Sequence, residues 1–146
     1  MAERKVAYQT FQHQADSGFV VTAPSLERLY IDAALSLTDQ LSRLERIECR
    51  DRKTIQISGE SREDLMRCWL NEVLQLFERD QFLSHRIVFN QFDGKRLQAT
   101  LWGELYQPLR HGHVIQPKAV DSHQIEMGDK EIPEPHFFAK VRLSSK

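Results

Sequence analysis

The chain has 146 residues, 20 of them basic and 21 acidic, for a net charge of −1. A chain of this length buries roughly 68–70% of its unfolded surface, so it needs no disulfide or metal as a staple. One domain over 1–146 is expected. The charge balance gives no global field for nucleic acid, a membrane or an acidic partner, so any RNA contact must come from a local patch or through another protein.

Cys49 and Cys68 are the two cysteines and show no C-x-x-C spacing. They read as thiols in a reducing cytosol, with Cys68 among apolar residues of the core. The start, M-A-E-R-K, is polar with no apolar region behind it, and no stretch approaches the roughly 18 apolar residues of a membrane span. A cytoplasmic protein without membrane contact is expected.

Val6 to Phe11 predicts a short strand leading to a turn at Asp16, and Phe19 to Thr22 a second strand. Pro24-Ser25 opens a helix with Ser25 as N-cap. Leu26, Leu29, Tyr30, Ala33, Leu37, Leu41 and Leu44 recur every three or four residues and form one apolar stripe. Arg43, Arg46 and Arg50 are expected near the helix end, where cations suit the macrodipole. Thr54 to Ser58 alternates as a strand and stops at Gly59. Ser61-x-x-Asp64 resembles a capping box, and the second helix runs to about Phe77 with Leu65, Trp69, Val73 and Phe77 on its apolar face.

Arg86 to Phe89 and Arg96 to Leu101 flank Asp93-Gly94, a hairpin signal. Val114 to Met127 reads as mostly extended, interrupted at Pro117. Gly128-Asp129-Lys130 reads as a turn, and Phe137 to Leu143 as a last alternating strand. Two helices with six or seven strands, paired largely by hairpins, predict an α+β domain. Its sheet is mostly antiparallel, with the helices on one face.

The nucleophile classes are nearly empty. There is no G-x-S-x-G, no P-loop and no zinc spacing among the six histidines. His111-x-His113 is a candidate metal pair or, more simply, a polar loop. Asp16 beside Gly18 suits either an Asx-turn or one ligand of a hard cation, which needs about six oxygens. Gly18 permits positive φ or a close backbone approach. Asp121 and His123 lie two apart on a predicted strand and so share a face. The Arg43–Lys53 stretch carries cations that suit phosphates, but Glu45, Glu48 and Asp51 interleave it, which favours an exposed helix end. Trp69 reads as core, with Asn71 and Glu72 at the edge of the stripe.

Taken together, the blocks resemble the archease family. Phe11-Gln12-His13-Gln14-Ala15-Asp16-Ser17-Gly18 matches its aromatic-x-H-T-A-D-x-G block, and Asp32-Ala33-Ala34-Leu35-Ser36-Leu37 its A-A-L-A-like helix. Trp69-Leu70-Asn71-Glu72-Val73-Leu74 matches W-L-N-E-L-L. Gly103-Glu104, then His111, then Lys118-Ala119-Val120-Asp121-Ser122-His123 follow in the family's order. Each block alone is soft; their joint order, from Tyr8 to Leu143, is specific.

The resemblance implies a metal-binding accessory protein and not an enzyme. Such a protein promotes guanylylation and multiple turnover of an RtcB-type RNA-splicing ligase in tRNA splicing and RNA repair, and meets RNA only indirectly. It implies a divalent ion (calcium, magnesium or manganese) held by two carboxylates. One carries over to Asp16. The other is the Asp of a C-terminal D-I or D-V ending, where this chain has Ser144. That exchange removes an anionic ligand, which weakens binding of a hard cation. Asp121, with His123 beside it, is a candidate to restore the charge. His13, Gly18, Glu104, His111 and Lys118 are the other family-motif positions. The alternative is a divergent chaperone-like or protein-interaction domain that has lost the metal site. A hydrolase built on Asp16, Asp121 and His123 has no nucleophile or oxyanion motif behind it.

Overall fold

The computed structural model describes residues 8–13, 16–112, 125–132 and 134–143. The fold is α+β, with every strand pair antiparallel. Among the described residues, seven strands divide between two sheets. The first contains β1 (Tyr8–His13), β2 (Asp16–Ala23), β6 (Ile125–Lys130) and β7 (His136–Leu143), in the order β1-β2-β7-β6. The second contains β3 (Asp51–Ser58), β4 (Phe82–Phe92) and β5 (Arg96–Leu105), in the order β3-β5-β4. The expected helices are present as α1 (Leu26–Leu41) and α2 (Arg62–Asp80), joined by a short α3 (Pro108–His111) that no sequence period announces.

The helix starts follow from their caps. Ser25 Oγ accepts from the Arg28 amide at 3.2 Å. Ser61 Oγ accepts from the Asp64 amide at 3.1 Å. Asp64 reaches past the N-cap and accepts from the Glu60 amide at 2.9 Å, one residue earlier than in a capping box. That amide, and Arg67 behind it, hold the Asp64 carboxyl below its ordinary range. Helix α1 stops at Leu41, so Arg43 and Arg46 lie beyond it. Arg43 caps and Arg46 ends a 3₁₀ turn, Leu44–Arg46, and Arg50 precedes β3.

Both long helices bring their apolar stripes to one core. Leu29, Tyr30, Ala33 and Leu37 of α1 and Leu65, Met66, Trp69 and Leu70 of α2 are fully excluded from solvent. Burial of each large aliphatic or aromatic side chain contributes roughly 1.5–3 kcal/mol. α1 packs on β2, β7 and β4, and α2 on β3, β4 and β6, so the helices join the two sheets. Trp69 Nε1 donates to the Tyr30 carbonyl at 2.8 Å and ties one helix to the other. Cys68 is only half-buried, and Arg67 Nη2 lies 3.3 Å from its sulfur.

The β4–β5 hairpin turns at Asp93-Gly94 as expected. Gly94 has φ +88°, and Asp93 Oδ1 accepts from the Lys95 and Arg96 amides at 2.9 and 2.7 Å. One turn is corrected. Gly128-Asp129-Lys130 lies inside β6, paired with Phe138, Phe137 and His136 of β7. A Cβ on Gly128 would come within 2.8 Å of the Phe138 ring. The glycine makes room for a cross-strand aromatic there and does not bend the chain.

Candidate functional site

Two regions collect the residues singled out by sequence. The first is the open end of the β1-β2-β7 sheet. Asp16 is the first residue of β2 and pairs with His13 of β1. Next to it, Ser17 pairs with Leu143 of β7, the residue immediately before Ser144. The first block and the end of the chain therefore converge in the backbone register. Gly18 is buried opposite Phe11 and Arg142. Its value is the close approach and not positive φ. A Cβ there would lie 2.0 Å from the Val141 carbonyl oxygen and 2.7 Å from the Phe11 ring. His113, Lys118, Asp121, His123 and Ser144 lie outside the described residues. Among the described residues, no group of three or more His, Cys, Asp or Glu side chains is arranged to hold a metal.

The second region is a buried polar cluster around Glu104 and His111, which are 2% and 3% exposed. Strand alternation sets Glu104 on the outer face of β5, with Trp102. The chain from Arg43 to Arg50 folds over that end of the sheet and buries it. The Arg50 amide donates to the Gly103 carbonyl at 2.8 Å, and His85 Nδ1 lies 2.6 Å from the Leu44 carbonyl. The Glu48 amide donates to Glu104 Oε2 at 2.7 Å. Arg110 Nη1 donates to Oε1 at 2.7 Å, and its Nη2 pairs with Glu48 at 3.2 Å.

The geometry fixes the proton on His111. Its Nδ1 accepts from the Gln107 amide at 2.9 Å, so the proton sits on Nε2, which donates to Glu104 Oε2 at 3.1 Å. Both ring nitrogens of His111 are engaged within the cluster, and the metal-pair reading also rests on His113, outside the described residues. Burial by itself would raise the Glu104 carboxyl. The Glu48 amide, His111 and Arg110 outweigh it and hold the carboxyl below its ordinary value.

A carboxylate so stabilised is a poor general base, and its imidazole partner is spent on orientation. The cluster is a latch. Ser42 Oγ donates to the His111 carbonyl at 3.1 Å, and Tyr106 Oη to the Gly112 carbonyl at 2.5 Å. It fixes the point at which the chain leaves toward Lys118, Asp121 and His123. Sequence reading marked Glu104 and His111 but passed over Arg110, Glu48 and Tyr106. Glu48 and Tyr106 sit in irregular segments and Arg110 in a four-residue helix, where no period signals a partner.

The cations of the Arg43–Lys53 stretch are largely spoken for, as the interleaved acids suggest. Arg43 pairs with Glu45 at 3.4 Å, Arg50 with Glu48 at 2.7 Å and Lys53 with Asp80 at 3.4 Å. Trp69 is core, and Glu72 pairs with Arg79 of its own helix at 3.1 Å.

Residues 8–136 match the model of the Archease protein family. A protein archease of Pyrobaculum calidifontis is 33% identical over 132 residues, covering 87% of this chain and 90% of its own. One from Pyrococcus furiosus is 26% identical over 137 residues, covering 92% and 95%. Among solved structures, protein 1598 of Methanobacterium thermoautotrophicum is 25% identical with a TM-score of 0.72, covering 94% of this chain and 97% of its own. An archease of Thermotoga maritima, described as a possible chaperone, is 17% identical and shares the fold with a TM-score of 0.59, covering 99% of both chains. No described helix is long and apolar enough to cross a membrane.

Proposed function

This chain belongs to the archease family, and we propose that it serves as an accessory protein that promotes guanylylation of an RtcB-type RNA-splicing ligase. It thereby permits repeated joining of RNA ends in the cytoplasm. The observation that carries this reading is that the first family block and the C-terminal strand β7 meet at one sheet end. Asp16 opens β2, and its neighbour Ser17 stands opposite Leu143, just before Ser144.

The metal half of the reading has a thinner donor set. Asp16 would supply the one anionic oxygen carried over from the family pair, with the Ser144 hydroxyl and the Asp121 and His123 side chains as the remaining candidates. A hard divalent ion bound there would place positive charge at that sheet end. One carboxylate and a neutral hydroxyl make a weak set for such an ion.

The test is guanylylation of the ligase from the same source, with GTP and metal, in the presence of this protein and of Asp16→Ala. Faster guanylylation that Asp16→Ala abolishes supports the reading. No acceleration by the parent protein overturns it. The Ser144 exchange favours a second reading, a chaperone-like interaction domain without metal. That reading predicts binding to the ligase that is indifferent to chelator.

A further inference from the structure

The outer face of the β3-β5-β4 sheet carries a feature that the latch and the β2/β7 end do not use. On β5, Leu97, Ala99 and Leu101 point into the core, so Arg96, Gln98, Thr100 and Trp102 point out. The register sets Arg52 of β3 and Arg86 of β4 on either side of Trp102. The Arg86 guanidinium lies over the Trp102 ring, 5.5 Å from its centroid. Arg52 and Arg86 are exposed, and Trp102 is half-exposed. Neither Arg52, Arg86 nor Arg96 has a carboxylate partner among the described residues.

Besides Val88, which stands opposite Thr100 and is 37% exposed, the remaining outward positions carry mainly hydroxyl and amide side chains; Thr100 Oγ1 donates to Asn90 Oδ1 at 2.9 Å. The one carboxylate on this side of β5, Glu104, is buried and neutralised by Arg110. The net charge of −1 hides this patch, because the acids that balance the sum lie elsewhere.

We infer that this face binds single-stranded nucleic acid, with a base stacking on the Arg86–Trp102 pair and Arg52, Arg86 and Arg96 meeting backbone phosphates. The chemistry is complementary on each count. Cations without partners attract phosphates. An aromatic ring or guanidinium plane on a sheet accepts any base face. Amides and hydroxyls satisfy sugar and base edges. A duplex hides its base faces and cannot use such a platform. The inference extends the accessory reading from indirect to direct RNA contact and does not depend on the ligase or on a metal.

The test is fluorescence anisotropy of a labelled 12-residue oligouridylate with the protein alone, in EDTA. Affinity should fall with salt, with a slope of log K on log [salt] near −2, about 0.7 for each of three phosphates. Trp102 emission should be quenched, since Trp69 is fully buried. Trp102→Ala should weaken binding about tenfold, as loss of one stacked base does, while Trp102→Phe retains most of it. Arg52→Gln with Arg86→Gln should weaken it further and flatten the slope. Arg52→Gln alone should also weaken it, whereas Arg79→Gln, which removes the same single charge from α2, should leave it unchanged. Circular dichroism confirms that each variant is folded.

Three outcomes would overturn the inference: no binding at low salt, equal weakening by Arg79→Gln, or equal affinity for a duplex. So would equal binding of polyglutamate without tryptophan quenching, which would mark the face as a site for acidic protein.

Discussion

Glu104 has three hydrogen-bond donors and almost no solvent. Glu104→Gln keeps the shape and removes the charge opposite Arg110. The expected loss is about 2–3 kcal/mol in urea unfolding at pH 7, the range for hydrogen bonds to a charged group. The pH dependence has a definite sign. The folded carboxyl lies below its ordinary value of 4.5, so the unfolded chain takes up the proton first. Its contribution is complete above that value and disappears as pH falls through the lower, folded one. The gap between the parent and Glu104→Gln should therefore begin to narrow as pH falls below about 4.5 and close further as pH passes the lower, folded value; a gap constant over that whole acid range would refute the assignment. Glu104 was legible as a motif position but not as a buried group. Its alternation with Trp102 predicts an exposed face, and only the 43–50 segment folding over that end removes it from water.

Elements differ in how far local chemistry settles them. The starts of α1 and α2 are written in Ser25 and Ser61, and Ser61→Ala should cost about 1 kcal/mol, measurable by thermal unfolding. The β4–β5 turn is written in Asp93-Gly94. Gly128-Asp129 carries the same turn signature yet lies in a strand, because the Phe138 ring from β7 needs the space. Gly103 shows the same dependence on a neighbour. A Cβ there would lie 1.8 Å from the Leu83 carbonyl oxygen across the β4–β5 ladder. Gly103→Ala must push the strands apart and is expected to cost about 3 kcal/mol or more, seen as a lowered denaturation midpoint or loss of soluble protein. The Gly103-Glu104 motif thus combines a close backbone approach with an anchor for the latch. The sequence marks the pair without revealing either reason.

At the scale of the whole molecule, two antiparallel sheets are bridged by two helices, and the ends of distant strands meet where the chain itself does not bring them together. Ser17 and Leu143 are separated by nearly the full sequence, and β2–β7 pairing sets them opposite each other. If the missing carboxylate limits cation affinity, Ser144→Asp should raise it by tenfold or more in calorimetric titration with calcium or manganese. Saturating ion should then raise the melting temperature of that variant above the parent's, since a ligand of the folded state alone stabilises it. Failure of Ser144→Asp to bind more tightly than the parent would count against the sheet-end site. Periodicity, local hydrogen bonding and ordered motifs suffice for the α+β class, the two amphipathic helices, their caps, the hairpin and the family. The division into two sheets, the hydrogen-bond roles of the two His111 nitrogens, the latch on Glu104 and the arginine-flanked Trp102 face emerge only in the folded chain. Each of these depends on strand register and on segments folding over one another, which bring together residues whose separation along the chain carries no signal.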